Sequence, residues 1–137
     1  MKKAILLTAL LFIGMVSMAQ NFLGQSLESA KQQLDKTDLY YTEFINSTGS
    51  YTLKFDKDGE TRIYIFEYDN KCSNYYIAFA DVEKVYNYGK IFYNLGWKRV
   101  KGNLDVSTSV KWEYKNGSVQ AVCFYQEDEE LYVISVK

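Results

Sequence analysis

Tyr51-Thr52-Leu53-Lys54-Phe55-Asp56-Lys57-Asp58-Gly59-Glu60-Thr61-Arg62-Ile63-Tyr64-Ile65-Phe66-Glu67-Tyr68 is the stretch that decides the fold. Its first part alternates Tyr51, Leu53 and Phe55 with Thr52, Lys54 and Asp56, the two-residue period of a strand with one buried and one wet face. Asp58-Gly59 follows, a pair that readily takes positive φ at both positions, so the chain is expected to turn back as a hairpin. The acidic residues around this turn match only part of a calcium loop, because the full register and its distal Glu are missing. The return arm, Thr61–Tyr68, differs from the first. It carries Ile63 and Ile65 on one side and Tyr64, Phe66 and Tyr68 on the other.

Working outward, further strands are expected at Leu39–Ile45, Asn74–Ala80, Trp97–Val100, Ser109–Tyr114, Val119–Tyr125 and Leu131–Val136. Asn116-Gly117 marks a second hairpin. Two helices complete the pattern. Ser26 caps the first, with Leu27, Ala30 and Leu34 on one stripe. Asp81 caps the second, whose stripe is Val82, Val85, Gly89, Phe92 and Leu95, with Gly96 at its end. The order helix then four strands occurs twice, about 22–80 and 81–137, with Thr52–Asp56 matching Ser109–Glu113 and Tyr76-Ile77-Ala78 matching Tyr132-Val133-Ile134. The expected fold is α+β: one mostly antiparallel sheet from two α-β-β-β-β units, with two helices packed on one face. No Pro, Gly or Ser-rich linker separates the halves, so residues 20–137 read as one domain.

The chain opens with Lys2 and Lys3, an apolar run from Ala4 to Val16, and Ser17-Met18-Ala19. That is the layout of a bacterial secretory signal cut after Ala19. The run is short for a spanning helix, which needs about 20 apolar residues. No Cys follows the cut, so no lipid anchor is expected there. The mature chain would begin at Gln20, be secreted or periplasmic, and hold no membrane span. Asn46-Ser47-Thr48 and Asn116-Gly117-Ser118 match a glycosylation sequon but read as turns in a bacterial chain.

Composition excludes several chemistries. The 137 residues hold 16 Lys plus Arg, 17 Asp plus Glu and no His. Without His there is no Ser-His-Asp triad, Cys-His dyad or His-ligated zinc, and the near balance of charge gives no footprint for nucleic acid. No phosphate loop or nucleophile elbow occurs. No enzyme activity, metal or cofactor is expected. Cys72 and Cys123 would meet an oxidising compartment, and a bridge between them would close a loop of about 50 residues worth about 3–4 kcal/mol. A free, packed Cys123 is the alternative.

Aromatic residues make up 17% of the chain, including 13 Tyr. Two helices cover only one face of a sheet, so a strand that is apolar on both sides has its second face curled into core, covered by a partner, or exposed. An exposed ring patch marks a binding surface. The residues nominated for it are Tyr64, Phe66, Tyr68, Tyr76, Trp112 and Tyr132. Glu127-Asp128-Glu129-Glu130 reads as a solvated turn, a docking patch for a basic partner or a weak cation site.

Gly24, Ser26, Ala30 and Leu34, opening a short helix that feeds an antiparallel sheet, resemble the start of the small envelope domains related to beta-lactamase inhibitor protein and to the assembly lipoprotein BamE. The resemblance implies a helical layer on an antiparallel sheet and binding of other proteins without catalysis. The lipid-bearing Cys of the assembly lipoproteins is missing here, and two cysteines cannot form the inhibitor's paired disulfides, so no functional residue is carried over. The expected function is a non-catalytic envelope module that engages a protein partner, a homodimer included, through sheet-face aromatics. The alternative is a carrier of a lipid or glycan in an aromatic-lined pocket.

Overall fold

The computed structural model describes residues 22–102 and 109–137. The leader assigned to residues 1–19 lies outside the described residues. The elements run α1 (Leu27–Asp35), β1 (Tyr41–Ile45), β2 (Tyr51–Lys57), β3 (Glu60–Phe66), β4 (Cys72–Phe79), α2 (Glu83–Asn94), β5 (Lys98–Lys101), β6 (Val110–Tyr114), β7 (Val119–Gln126), a short 3-10 turn (Glu127–Glu129) and β8 (Leu131–Val136). The class is α+β. The strands form one eight-stranded sheet in the order β1-β2-β3-β4-β8-β7-β6-β5, and each neighbouring pair is antiparallel. No helix among the described residues is long and apolar enough to cross a membrane.

The turns form where the residue chemistry places them. Asp58 and Gly59 both take positive φ, at 54° and 76°, and Lys57 faces Glu60 across the two-residue loop. Lys115, Asn116 and Gly117 are all left-handed in the β6–β7 turn. Asn46 Oδ1 accepts from the backbone N–H of Thr48 and of Ser50 at 3.0 and 2.9 Å, which fixes the β1–β2 turn. β3 is shorter than its periodicity predicts. A register shift between Ile65 and Phe66 ends the strand, and Tyr68 lies beyond it, fully exposed.

Ser26 caps α1 as expected, its hydroxyl accepting from the N–H of Ser29 at 3.1 Å. Asp81 stands one position farther out than an N-cap. Val82 holds the cap position, while the Asp81 carboxylate accepts from the N–H of Glu83 at 2.9 Å.

One sheet face carries the core. Leu53, Tyr64, Tyr75, Val136 and Ala121 follow one another across five strands and are all fully buried. Ala30 and Leu34 of α1 belong to the same buried cluster, Tyr88 stacks on Phe79 at 5.8 Å, and Phe92 packs on Trp112 at 5.1 Å. Tyr64 sits at the centre, edge-on to Phe22 at 4.7 Å and stacked on Phe55 at 5.8 Å. Such ring pairs add about 0.5–1.5 kcal/mol each beyond the area they bury.

A buried ionic group ties α2 to β3. Glu60, 8% exposed, holds Lys84 at 3.2 Å through Oε1 and Arg62 at 3.2 Å through Oε2. Tyr88 donates its hydroxyl to the same Oε2 at 2.6 Å, and Lys84 also donates to the Asp58 carbonyl at 2.7 Å. Burial, and the bond to Glu60, push the Tyr88 phenol well above its ordinary value, so it stays a donor.

Cys72 and Cys123 are free thiols, a correction to the bridge weighed above. β8 lies between their strands, and Cys123 is level with Ile134 and Ile77, five positions along β4 from Cys72. At about 4.8 Å between strands and about 3.3 Å per residue, that offset exceeds the roughly 7 Å reach of a disulfide. Burial pushes Cys72 up to about 12 and Cys123 up to about 11, so both are inert at neutral pH.

Candidate functional site

The second sheet face lies opposite the core. Strand alternation sends Ile63, Ile65, Tyr76, Ala78, Val133, Val122 and Phe124 to it. Register makes them neighbours. Ile63 pairs with Tyr76, and Ala78, Val133 and Phe124 run in one row across β4, β8 and β7. Ser135 stands between Tyr76 and Val122. Only Val133 is buried; Ile63, Ile65, Tyr76, Ala78 and Val122 are half-buried, and Phe124 is 40% exposed. Charged residues flank this apolar band. Lys54 and Asp56 lie on the β2 side, and Lys111 and Glu113, paired at 3.6 Å, lie on the β6 side. The Tyr76 hydroxyl accepts from the Asn74 side-chain amide at 3.0 Å.

The six nominated rings do not form one surface. Tyr64, Phe66 and Trp112 are buried on the core face, and this corrects their nomination as exposed contacts. Their reason for burial is register: Phe66, Tyr64 and Trp112 align with Tyr51, Leu53 and Ala121, which face the core. Tyr132 is half-buried on that same face, between Phe79 at 6.1 Å and Tyr125 at 4.8 Å. Tyr76 alone of the six lies on the second face. Matching Tyr76 with Tyr132 therefore joins residues on opposite faces, whereas Tyr75 and Tyr132 share one. The residues missed are Ile63, Ile65, Ala78, Val122, Phe124 and Val133. Their signal was the minor side of the two-sided strands, which the larger rings of the other side overshadowed.

Glu127, Asp128, Glu129 and Glu130 are exposed on the β7–β8 turn, and Glu130 takes φ 54° to close it. No group of three or more Cys, Asp or Glu among the described residues is placed to hold a metal ion.

A cavity of about 800 Å³ opens between the last turns of α2 and the edge of the sheet. Gly89, Lys90, Tyr93 and Asn94 supply its helical wall, and Trp97, Lys98, Arg99 and Trp112 the rest. Trp97 is 3% exposed, stacked on Tyr114 at 5.4 Å and against Phe92 at 4.7 Å. Its indole N–H is buried and has no acceptor among the described residues. An unmade hydrogen bond of this kind costs about 1–3 kcal/mol.

Compared with protein-family models, with curated proteins and with solved structures, the chain finds no match.

Proposed function

We propose that this chain is a non-catalytic binding module of the bacterial cell envelope, exported by its leader, and that it engages a protein partner through the sheet face the helices leave uncovered. One observation carries the reading. Ile63, Tyr76, Val122 and Phe124 lie on one face of β3, β4 and β7, with Ser135 of β8 between Tyr76 and Val122; Phe124 is 40% exposed and the other three are partly buried. Apolar surface gathered in one place favours burial by about 25 cal/mol per Å², and a polar rim beside it is the composition of a docking surface. The flanking Lys54, Asp56, Lys111 and Glu113 supply that rim.

Two further readings accompany this one. The sheet order places β4 and β8, the last strands of the two units, side by side at the centre, which supports descent from a doubled α-β-β-β-β unit. Gly24 at φ 80°, the Ser26 cap and the fully buried Ala30 and Leu34 give the envelope-domain resemblance a physical role at the start of α1, and that role bears on fold alone. A carrier of small ligands is the second functional reading, and the cavity beside Trp97 and Trp112 favours it.

The test places a photo-crosslinking amino acid at position 124, on the face, and at position 86, on the outer side of α2, in the protein expressed in its own cells. The expected result is one discrete adduct from position 124 and none from position 86. Equal adducts from both positions, or none from position 124, would remove the reading. Phe124→Glu should leave stability within about 0.5 kcal/mol of wild type, as for a surface site.

A further inference from the structure

The geometry points to a second site: we infer that the cavity between α2 and β5–β6 binds a small carboxylate carried on a flat ring. This rests on the carrier reading and is independent of the sheet-face one.

Three observations converge on it. The first is charge. Among the described residues three cations and no acid line the cavity, in a chain whose acidic residues slightly outnumber its basic ones. Register separates the three. Lys98 faces Glu113 across the β5–β6 ladder, whereas Arg99 faces Trp112 and so shares its side of the sheet. Lys90 projects from α2 one turn before Asn94, another lining residue and a neutral donor. Neither Lys90 nor Arg99 makes an ion pair among the described residues. A guanidinium presents two parallel donors, the geometry that matches a carboxylate.

The second is the apolar wall. Tyr93, Trp97 and Trp112 bring three aromatic side chains to one cavity. Tyr93, 79% exposed, offers a flat phenol face on which a sugar ring or an aromatic ring can lie, and Trp97 and Trp112, each 3% exposed, are buried beside it. The third is room. A volume of about 800 Å³ lies in the range of sites that enclose a small molecule, and Gly89 lines the helical wall without a side chain, mid-helix, where glycine costs about 1 kcal/mol against alanine.

The chain contains its own reporter, because its two tryptophans are Trp97 and Trp112, both in the cavity lining. The experiment titrates the mature protein with four probes, following tryptophan emission: glucuronic acid, its methyl ester, 2-naphthoate and its methyl ester. A saturable change with an acid, at least roughly tenfold weaker with its ester and weaker again in Arg99→Gln, is the expected result. Which acid responds separates a sugar source from an aromatic one. Lys90→Gln, on the exposed helix surface, gives the same reading if Arg99→Gln fails to fold. Gly89→Leu should narrow the cavity and weaken the response while preserving the helix.

Equal binding of acids and esters, unchanged in Arg99→Gln and Lys90→Gln, would overturn the carboxylate assignment and leave a carrier of neutral rings. No response to any probe would remove the assignment and the carrier reading together. A response unchanged in Gly89→Leu would place the bound molecule elsewhere and overturn the site.

Discussion

Tyr88 donates its hydroxyl to Glu60 across 2.6 Å, and through that bond α2 is joined to β3 inside the protein rather than at its surface. Tyr88→Phe keeps the ring stack on Phe79 and loses this bond together with the longer one its hydroxyl accepts from Arg62 at 3.4 Å, so it should cost about 2 kcal/mol. Glu60→Gln removes the charge that Arg62 and Lys84 share and should cost about 3 kcal/mol. Urea unfolding of both variants measures the difference. Equal and negligible costs would mean that the cluster does not hold α2.

Tyr64 and Tyr68 separate a core ring from a surface one four positions apart. Tyr64 is fully buried, and burial pushes its phenol up to about 12; Tyr68 is fully exposed. Tyr64→Ser should cost about 3–5 kcal/mol, and Tyr68→Ser should stay within about 0.5 kcal/mol. A chemical denaturation series reads both, and reversal of the order would contradict the register of β3.

Cys72 and Cys123 should both titrate with a thiol reagent, but only after unfolding. In the native protein burial keeps them neutral and out of reach. Intact mass after alkylation in denaturant should show two labels, and the melting temperature should not move with reductant. A mass consistent with a closed bridge would contradict the placement of β8 between their strands.

Lys31 and Glu43 pair at 2.7 Å between α1 and the edge strand β1, and Tyr51 also donates to Glu43. The Lys31 hydrogen bond, then that of Tyr51, lowers the Glu43 carboxyl below its ordinary value. A depressed carboxylate adds stability that is present above its unfolded value and fades as pH falls through the folded one. The tether of β1 should therefore weaken in acid below the usual glutamate range. The side-chain carbon shift of Glu43, followed by NMR, should give a midpoint below the ordinary glutamate value. A midpoint at or above the ordinary value would remove the tether.

The hairpins, helix starts and strand positions were legible because short-range chemistry decides them. Asp58-Gly59 needs no tertiary help to turn, and Ser26 needs none to cap α1. The faces were not legible, because alternation separates two sides without saying which one the helices meet. Tyr64 and Phe66 outweigh Ile63 and Ile65 in area, and the larger pair is the one the core takes. The end of β3 was missed for another reason: Glu67 and Tyr68 continue the alternation, but the register shift at Phe66 overrides it. The cavity was invisible in the sequence, since it joins Lys90 on a helix to Arg99 and Trp112 on two strands.

β8 follows every other strand in the chain, yet it lies at the middle of the sheet, hydrogen-bonded to β4 on one side and β7 on the other. During synthesis β4 therefore waits with an open inner edge until residues more than fifty positions downstream reach it. Damage confined to Leu131–Val136 would divide one sheet into two four- and three-stranded pieces, each with a sticky new border. The integrity of the molecule depends on its last strand as much as on β4, the other central strand.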